Sequence, residues 1–238
     1  MVWSKRTLAS VAVLCAVFGL TLLAPAWLQA AKVTSRDFVR LSPDEFAELP
    51  EVKAMIDPER LDRDLMAAAI FHETNRWRRR LGLPAFKHRM KLDEAADVQA
   101  TFGSLMPTVG HVNSLPAQAS PMARVLAVGY TPGLVAENVA LTPVLDAAEE
   151  TSFAMEGEGE AKKFFDPKSG RELRPHSYAS FAARVLVQWM NSPGHRANIA
   201  NRDLRYLGCS ARSTRNISGI RSLFSVQEFF TPESPYFR

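Results

Sequence analysis

The sequence predicts an α+β protein in which helices come first and an antiparallel hairpin comes last. Two observations carry that prediction. Three stretches, about 59–81, 91–106 and 177–191, repeat apolar residues at the three-and-four spacing of a helix with one buried face, and a shorter helix is read at about 117–128. Two later stretches, about 204–212 and 222–230, are rich in aromatic and aliphatic residues. Asn216 to Gly219 between them has turn chemistry, so the two read as a hairpin.

Taken in order, the chain begins with a secretory leader over 1–30. Lys5 and Arg6 precede an apolar run from Leu8 to Leu23, and Ala30 and Ala31 supply small residues for cleavage. The run is short for a membrane span, so cleavage is preferred to an uncleaved anchor, and export to a periplasm or the outside is expected. Losing Lys5 and Arg6 reduces the basic residues from 29 to 27 against 25 acidic ones. A nearly neutral mature chain gives no reason to expect nucleic acid as a partner. Cys15 leaves with the leader, so Cys209 stands alone and neither a disulfide nor a cysteine zinc cluster can form within the chain.

Residues 31–57 read as an N-terminal extension with one short helix near 43–55. The helix at 59–81 carries Leu61, Leu65, Met66, Ile70, Trp77 and Leu81 in one stripe and stops at Gly82. His72 and Glu73 border that stripe. Arg76, not a second histidine, follows His72 by four positions, so this is not a zinc-protease helix. His72 is expected to pin a neighbouring loop. In the helix at 91–106 the buried face is assigned to Leu92, Ala95, Ala96, Phe102 and Met106. A turn-rich loop at 108–114 then carries His111, and Arg124 lies in the helix at 117–128. The apolar run from Val135 to Ala140 is interrupted by Glu137 and Asn138, which need partners if buried. Residues 141–177, rich in glutamate, read as a surface insertion.

The helix at 177–191 buries Tyr178, Phe181, Ala182, Val185, Leu186 and Trp189, and then meets Ser192-Pro193-Gly194-His195. Ser192 suits an N-cap and Pro193 the first helical position. His195 then falls in a first turn, where the helix dipole favours a neutral ring. Ser192 is explained by capping and is a poor nucleophile candidate. Cys209, mid-strand, reads as a small buried apolar residue.

Four motifs in this order resemble the CAP superfamily, the SCP-like or cysteine-rich secretory/antigen 5/pathogenesis-related-1 domains, in a cysteine-poor bacterial form. They are Asn75-x-x-Arg78 with Gly82-Leu83-Pro84, the loop histidine His111, Ala136-Glu137-Asn138-Val139-Ala140, and Trp189-Met190-x-Ser192-Pro193-Gly194-His195-Arg196-x-Asn198-Ile199. The resemblance covers about 58–231, leaving 232–238 as a tail. It implies a three-layer α-β-α sandwich with a mainly antiparallel sheet and a cleft centred on His111, Glu137 and His195. Asn138, Ser192, Arg196 and Asn198 are the cleft-supporting residues by the same likeness. Many eukaryotic members carry a second glutamate on the helix before the last histidine; Trp189 to Ser192 contains none.

Two imidazoles and a carboxylate can hold a divalent cation such as zinc through His111 and His195. They can also do acid–base work, or bond one another to hold a cleft open. The resemblance favours a non-catalytic binding domain for a lipid, peptide, glycan or other envelope component, monomeric and needing no cofactor. The alternative is a hydrolase using His111, Glu137 and His195.

Overall fold

The computed structural model describes residues 38–106, 108–147, 153–157, 163–216 and 219–233. The expected leader at 1–30, most of the glutamate cluster and the end of the tail lie outside the described residues. Among the described residues no helix is long and apolar enough to cross a membrane.

The segment expected to hold one helix near 43–55 forms two. They are α1 (Pro43–Glu48), closed by a Ser42/Glu45 capping box, and α2 (Pro50–Lys53). Pro50 cannot continue α1 past Leu49, which splits the turn. Phe38, Phe46, Val52 and Ile56 are buried in the main core, so this segment is integral to it.

Helix α3 (Arg63–Arg80) starts at Asp62, whose carboxylate accepts from Leu65 N. It ends where Gly82 takes a left-handed φ of 66°. Strand β1 (Lys87–His88) leads into α4 (Met90–Leu105). The buried face of α4 is Leu92, Ala95, Ala96, Gln99, Ala100 and Gly103. Phe102 is half-buried and Met106 is exposed, contrary to the assignment from spacing. Small residues, not large ones, mark the contact because the helix lies directly on the sheet.

A 3-10 turn (Pro116–Gln118) and α5 (Pro121–Ala127) follow. The apolar run with Glu137 and Asn138 is a long strand, β2 (Pro132–Pro143). The expected insertion therefore starts later than 141, since β2 reaches Pro143 and Val144 is buried. It carries a small antiparallel sheet of β3 (Ala154–Glu156), β4 (Lys163–Phe165) and β5 (Glu172–Leu173). Helix α6 (Tyr178–Asn191), α7 (Pro193–Ala200), β6 (Tyr206–Arg215) and β7 (Arg221–Pro232) complete the chain.

The main sheet has the order β1-β6-β7-β2, parallel only at β1–β6. The two faces follow from strand alternation. Leu223, Phe229 and Leu207 pack with α3 and α6 on one side. Phe224, Val226 and Phe230 pack with α4 and α5 on the other. This is the expected α-β-α sandwich.

Strand β2 is the sheet's edge. Its Val139 carbonyl accepts from Trp189 Nε1 at 3.1 Å, and its Glu137 carbonyl accepts from Asn198 Nδ2 at 3.2 Å. On β6, a Cβ added at Gly208 would strike the backbone of Leu92 and Asp93 in α4. Gly208→Ala is therefore expected to destabilise by about 1–3 kcal/mol, read from the midpoint of urea unfolding; an unchanged midpoint would show that α4 can lift off β6 at no cost.

Candidate functional site

Neighbouring residues of an edge strand point to opposite faces, and here that separates two tasks. Glu137 faces the α4/α5 layer and is paired in register with Glu228; Asn138 faces the α3/α6/α7 layer and is paired with Gln227. Each side chain holds one of the two expected site histidines: Glu137 bonds the His111 ring and Asn138 the His195 carbonyl.

On the first side, His111 Nδ1 and Glu137 Oε1 are 2.8 Å apart. An ionised carboxylate can only accept, so Nδ1 carries the proton and Nε2 points away from the pair. The His111 side chain is 47% exposed and that of Glu137 1%. The other Glu137 oxygen, Oε2, accepts from Arg124 Nη2. Arg124 is wholly buried and gathers the site: it also donates to the His111 carbonyl at 3.2 Å, to the Gln118 carbonyl at 3.1 Å and to Glu228 Oε1 at 3.2 Å. Behind the loop, Gln99 Nε2 donates to the Gly110 carbonyl and Asn113 Nδ2 to Gln99 Oε1.

Glu228 is wholly buried and its Oε2 has no hydrogen-bond partner. Burial first, and then the charge of Glu137, raise its pKa well above the usual carboxylate range. Both effects favour its protonated form. One guanidinium then balances one carboxylate, and the interior carries no net charge there. A second carboxyl group is thus present beside Glu137, but it comes from β7 and is turned into the protein.

On the second side, Asn138 Nδ2 donates to the His195 carbonyl at 3.2 Å and to Gln227 Oε1 at 2.9 Å; its Oδ1 accepts from Asn198 Nδ2 at 2.9 Å. Gln227 continues to Thr74 Oγ1 on α3 at 2.6 Å. This chain fixes the turn that carries His195, whose ring is half-buried.

Four of the expected site residues, His111, Glu137, Asn138 and Asn198, thus take part in these two networks. Ser192 and Arg196 behave differently. Ser192 has N-cap backbone geometry, but its side chain makes no capping bond, so the cap does not account for the hydroxyl. Arg196 is exposed and donates to the Met190 carbonyl at 3.2 Å, closing the end of α6. Cys209 is buried and burial pushes its thiol pKa up, which removes it as a nucleophile.

The hydrogen bond to Glu137 raises the His111 pKa above 6.5, against the opposing effect of burial. His195 moves the other way: burial lowers it, and then the charge of His111. A raised folded-state value means that the His111–Glu137 pairing stabilises fully below the ordinary histidine value. That contribution is lost as pH rises through the raised one. In Glu137→Gln the His111 titration, followed by its NMR ring-proton shift, is expected to move to lower pH. An unmoved curve would mean that Glu137 does not set it.

With this geometry in place, the chain matches the model of the cysteine-rich secretory protein family, CAP, over residues 71–229. The chain belongs to the CAP family. Its two cysteines show that the family's name does not describe its composition. No curated protein matches the chain. Among solved structures, an extracellular SCP-domain protein of Bacillus anthracis is 17% identical with a TM-score of 0.46. The match covers 74% of this chain and 44% of that one, so this chain spans less than half of that protein. An outer surface protein of Borrelia burgdorferi is also 17% identical, with a TM-score of 0.45 over 76% of this chain and 99% of that one. The CAP domain of enterococcal PrgA is 13% identical, with a TM-score of 0.47 over 86% and 83%.

The CAP signature on α3 is structural here. Asn75 exchanges hydrogen bonds with the backbone of Phe86. Arg78 is buried against the Phe86 ring and donates to the carbonyls of Pro84, Ile199 and Asn201. Burial lowers its pKa to about 10, so it remains a cation at neutral pH and closes the end of α7. His72 Nε2 donates to the Phe38 carbonyl at 2.8 Å, pinning the N-terminal segment as expected.

Proposed function

We propose that this CAP protein is exported and that its cleft binds a ligand without converting it. The use made of Glu137 carries this reading. One of its oxygens takes His111, the other takes Arg124, and the side chain is out of reach of solvent. A carboxylate used in this way orients a ring and is not free to act as a base on a substrate. The groups left facing the cleft are His111 Nε2 and the ring of His195.

Because the two pKa values move apart, a pH range exists in which His111 is protonated and donates while His195 is neutral and accepts. That pair suits a ligand head that offers both an acceptor and a donor, such as a hydroxyl or an amide of a lipid, peptide or glycan. A divalent cation such as zinc would find two imidazoles, half of a tetrahedral shell, with the rest left to ligand or water. Among the described residues no group of three His, Cys, Asp or Glu is placed to hold an ion. In this reading no resident cofactor is required.

The test is native mass spectrometry of the protein taken from exporting cells. A bound lipid, peptide, glycan or cation is expected in the wild type and is lost in His195→Ala. Protein that carries nothing, and binds nothing when offered lipid and cell-wall fragments, would count against the proposal. One observation favours a second reading, a hydrolase: the Glu137–His111 pair is the orienting half of a general-base dyad. Casein or cell-wall turnover that disappears in His195→Ala would establish it. No turnover in the wild type, or equal turnover in the variant, would sink it.

A further inference from the structure

Twelve large hydrophobic residues are exposed among those described, and seven of them fall between 105 and 126: Leu105, Met106, Val109, Val112, Leu115, Met122 and Leu126. They sit on abutting elements, the last turn of α4, the His111 loop, the 3-10 turn and α5. Leu105 and Leu115 share an open cavity of about 330 Å³ with Asp97, Val98, Thr101, Phe102 and Gln118. Asn113 and Gln99 hold the loop on α4, so the face has a fixed shape.

The same region is poor in charge, and Asp97 at the rim of the cavity is paired with Arg212. In a chain where 23% of residues are charged, positions 98–136 contain a single Asp, Glu, Lys or Arg, namely Arg124, and it is wholly buried. The seven side chains expose on the order of 700 Å². A monomer's largest apolar patch is usually about 300–600 Å², whereas a stable interface takes about 800 Å² from each partner. Summed over the seven residues, the exposed area approaches that size.

We propose that this face is the interface of a symmetric dimer of the chain, which revises the sequence-based expectation of a monomer. The charge pattern selects a second copy over other occupants. In a two-fold contact the same patch is used by both copies, so a patch rich in one sign of charge would repel its copy, whereas one poor in charge would not. A lipid surface is the poorer fit, because the face has no Trp and no exposed Lys or Arg to anchor at the headgroups. The inference stands independently of what the cleft binds. His111 lies between Val109 and Val112, so the interface borders the His111 loop in both copies.

Sedimentation velocity of the full chain from about 1 to 100 μM is expected to show dimer, since interfaces of this size bind at micromolar or better. The double substitution Val112→Glu and Leu115→Glu should be monomeric throughout, with an unchanged circular dichroism spectrum. Met155→Glu, an exposed apolar position outside the face, should remain dimeric. Monomeric wild type at the highest concentration overturns the proposal. So does a dimer that survives the double substitution, which would place association elsewhere, such as on the apolar N-terminal run. A monomer that sediments with phosphatidylcholine vesicles overturns it in favour of lipid.

Discussion

Arg124→Ala is expected to cost about 3–5 kcal/mol of stability, the range for removing one partner of a buried ion pair. Arg124 bonds both Glu137 and Glu228, which are buried, and among the described residues no other arginine or lysine does. Without it, Glu137 keeps only the half-exposed His111 as a partner, and the carbonyls of Gln118 and His111 lose their donor. The loss should also depend on pH in one direction. A buried carboxylate without its cation has a raised folded-state pKa, and such a group lends stability below its unfolded value and loses it as pH rises. The gap between variant and wild type should therefore widen from pH 5 to pH 8. Urea unfolding across that range measures it. A cost below about 1 kcal/mol, or a gap that narrows with rising pH, would show that Arg124 does not carry the cluster. Glu228→Gln serves as the control. Burial favours the protonated form of Glu228, so the isosteric amide should leave stability and the His111 titration close to wild type.

Trp189→Ala is the second large effect, about 3–5 kcal/mol for the emptied volume alone. Trp189 is wholly buried between α6 and β2, and its indole N–H also serves the Val139 carbonyl. Trp189→Phe separates the two contributions. It keeps most of the packing but strands the carbonyl, at about 1–3 kcal/mol for an unmet buried polar group. If Trp189→Phe unfolds at the wild-type midpoint, the indole hydrogen bond has no structural weight.

Much of the fold was legible because its signals are local. The stripes of α3 and α6, the stop at Gly82 and the terminal hairpin are periodicities and turn chemistries within a few residues of one another. What periodicity mis-assigned was the face of α4. There Gly208 and Gly103 bring helix and sheet so close that small residues mark the contact. Strand β2 read only as a short apolar run, since Glu137 and Asn138 interrupt it for reasons visible only across the sheet. His111, Glu137 and His195 were found through a family likeness. Arg124 and Glu228 were not, because they lie 104 positions apart and neither stands in a motif. A lone arginine in a helix otherwise built of small and apolar residues was the signal available.

The bonds from Trp189 and Asn198 to the rim of β2 have a consequence beyond holding α6 and α7 in place. A bare edge strand offers its carbonyls and N–H groups to any extended chain that arrives, which is how sheets grow into aggregates. Here side chains of the segment that carries His195 already occupy two of those carbonyls. The segment that carries His195 therefore walls off this edge and also keeps the sheet from recruiting strands. A variant or a stress that loosens this wall exposes a template for strand addition in the same event, so its first symptom should be insolubility rather than an altered cleft.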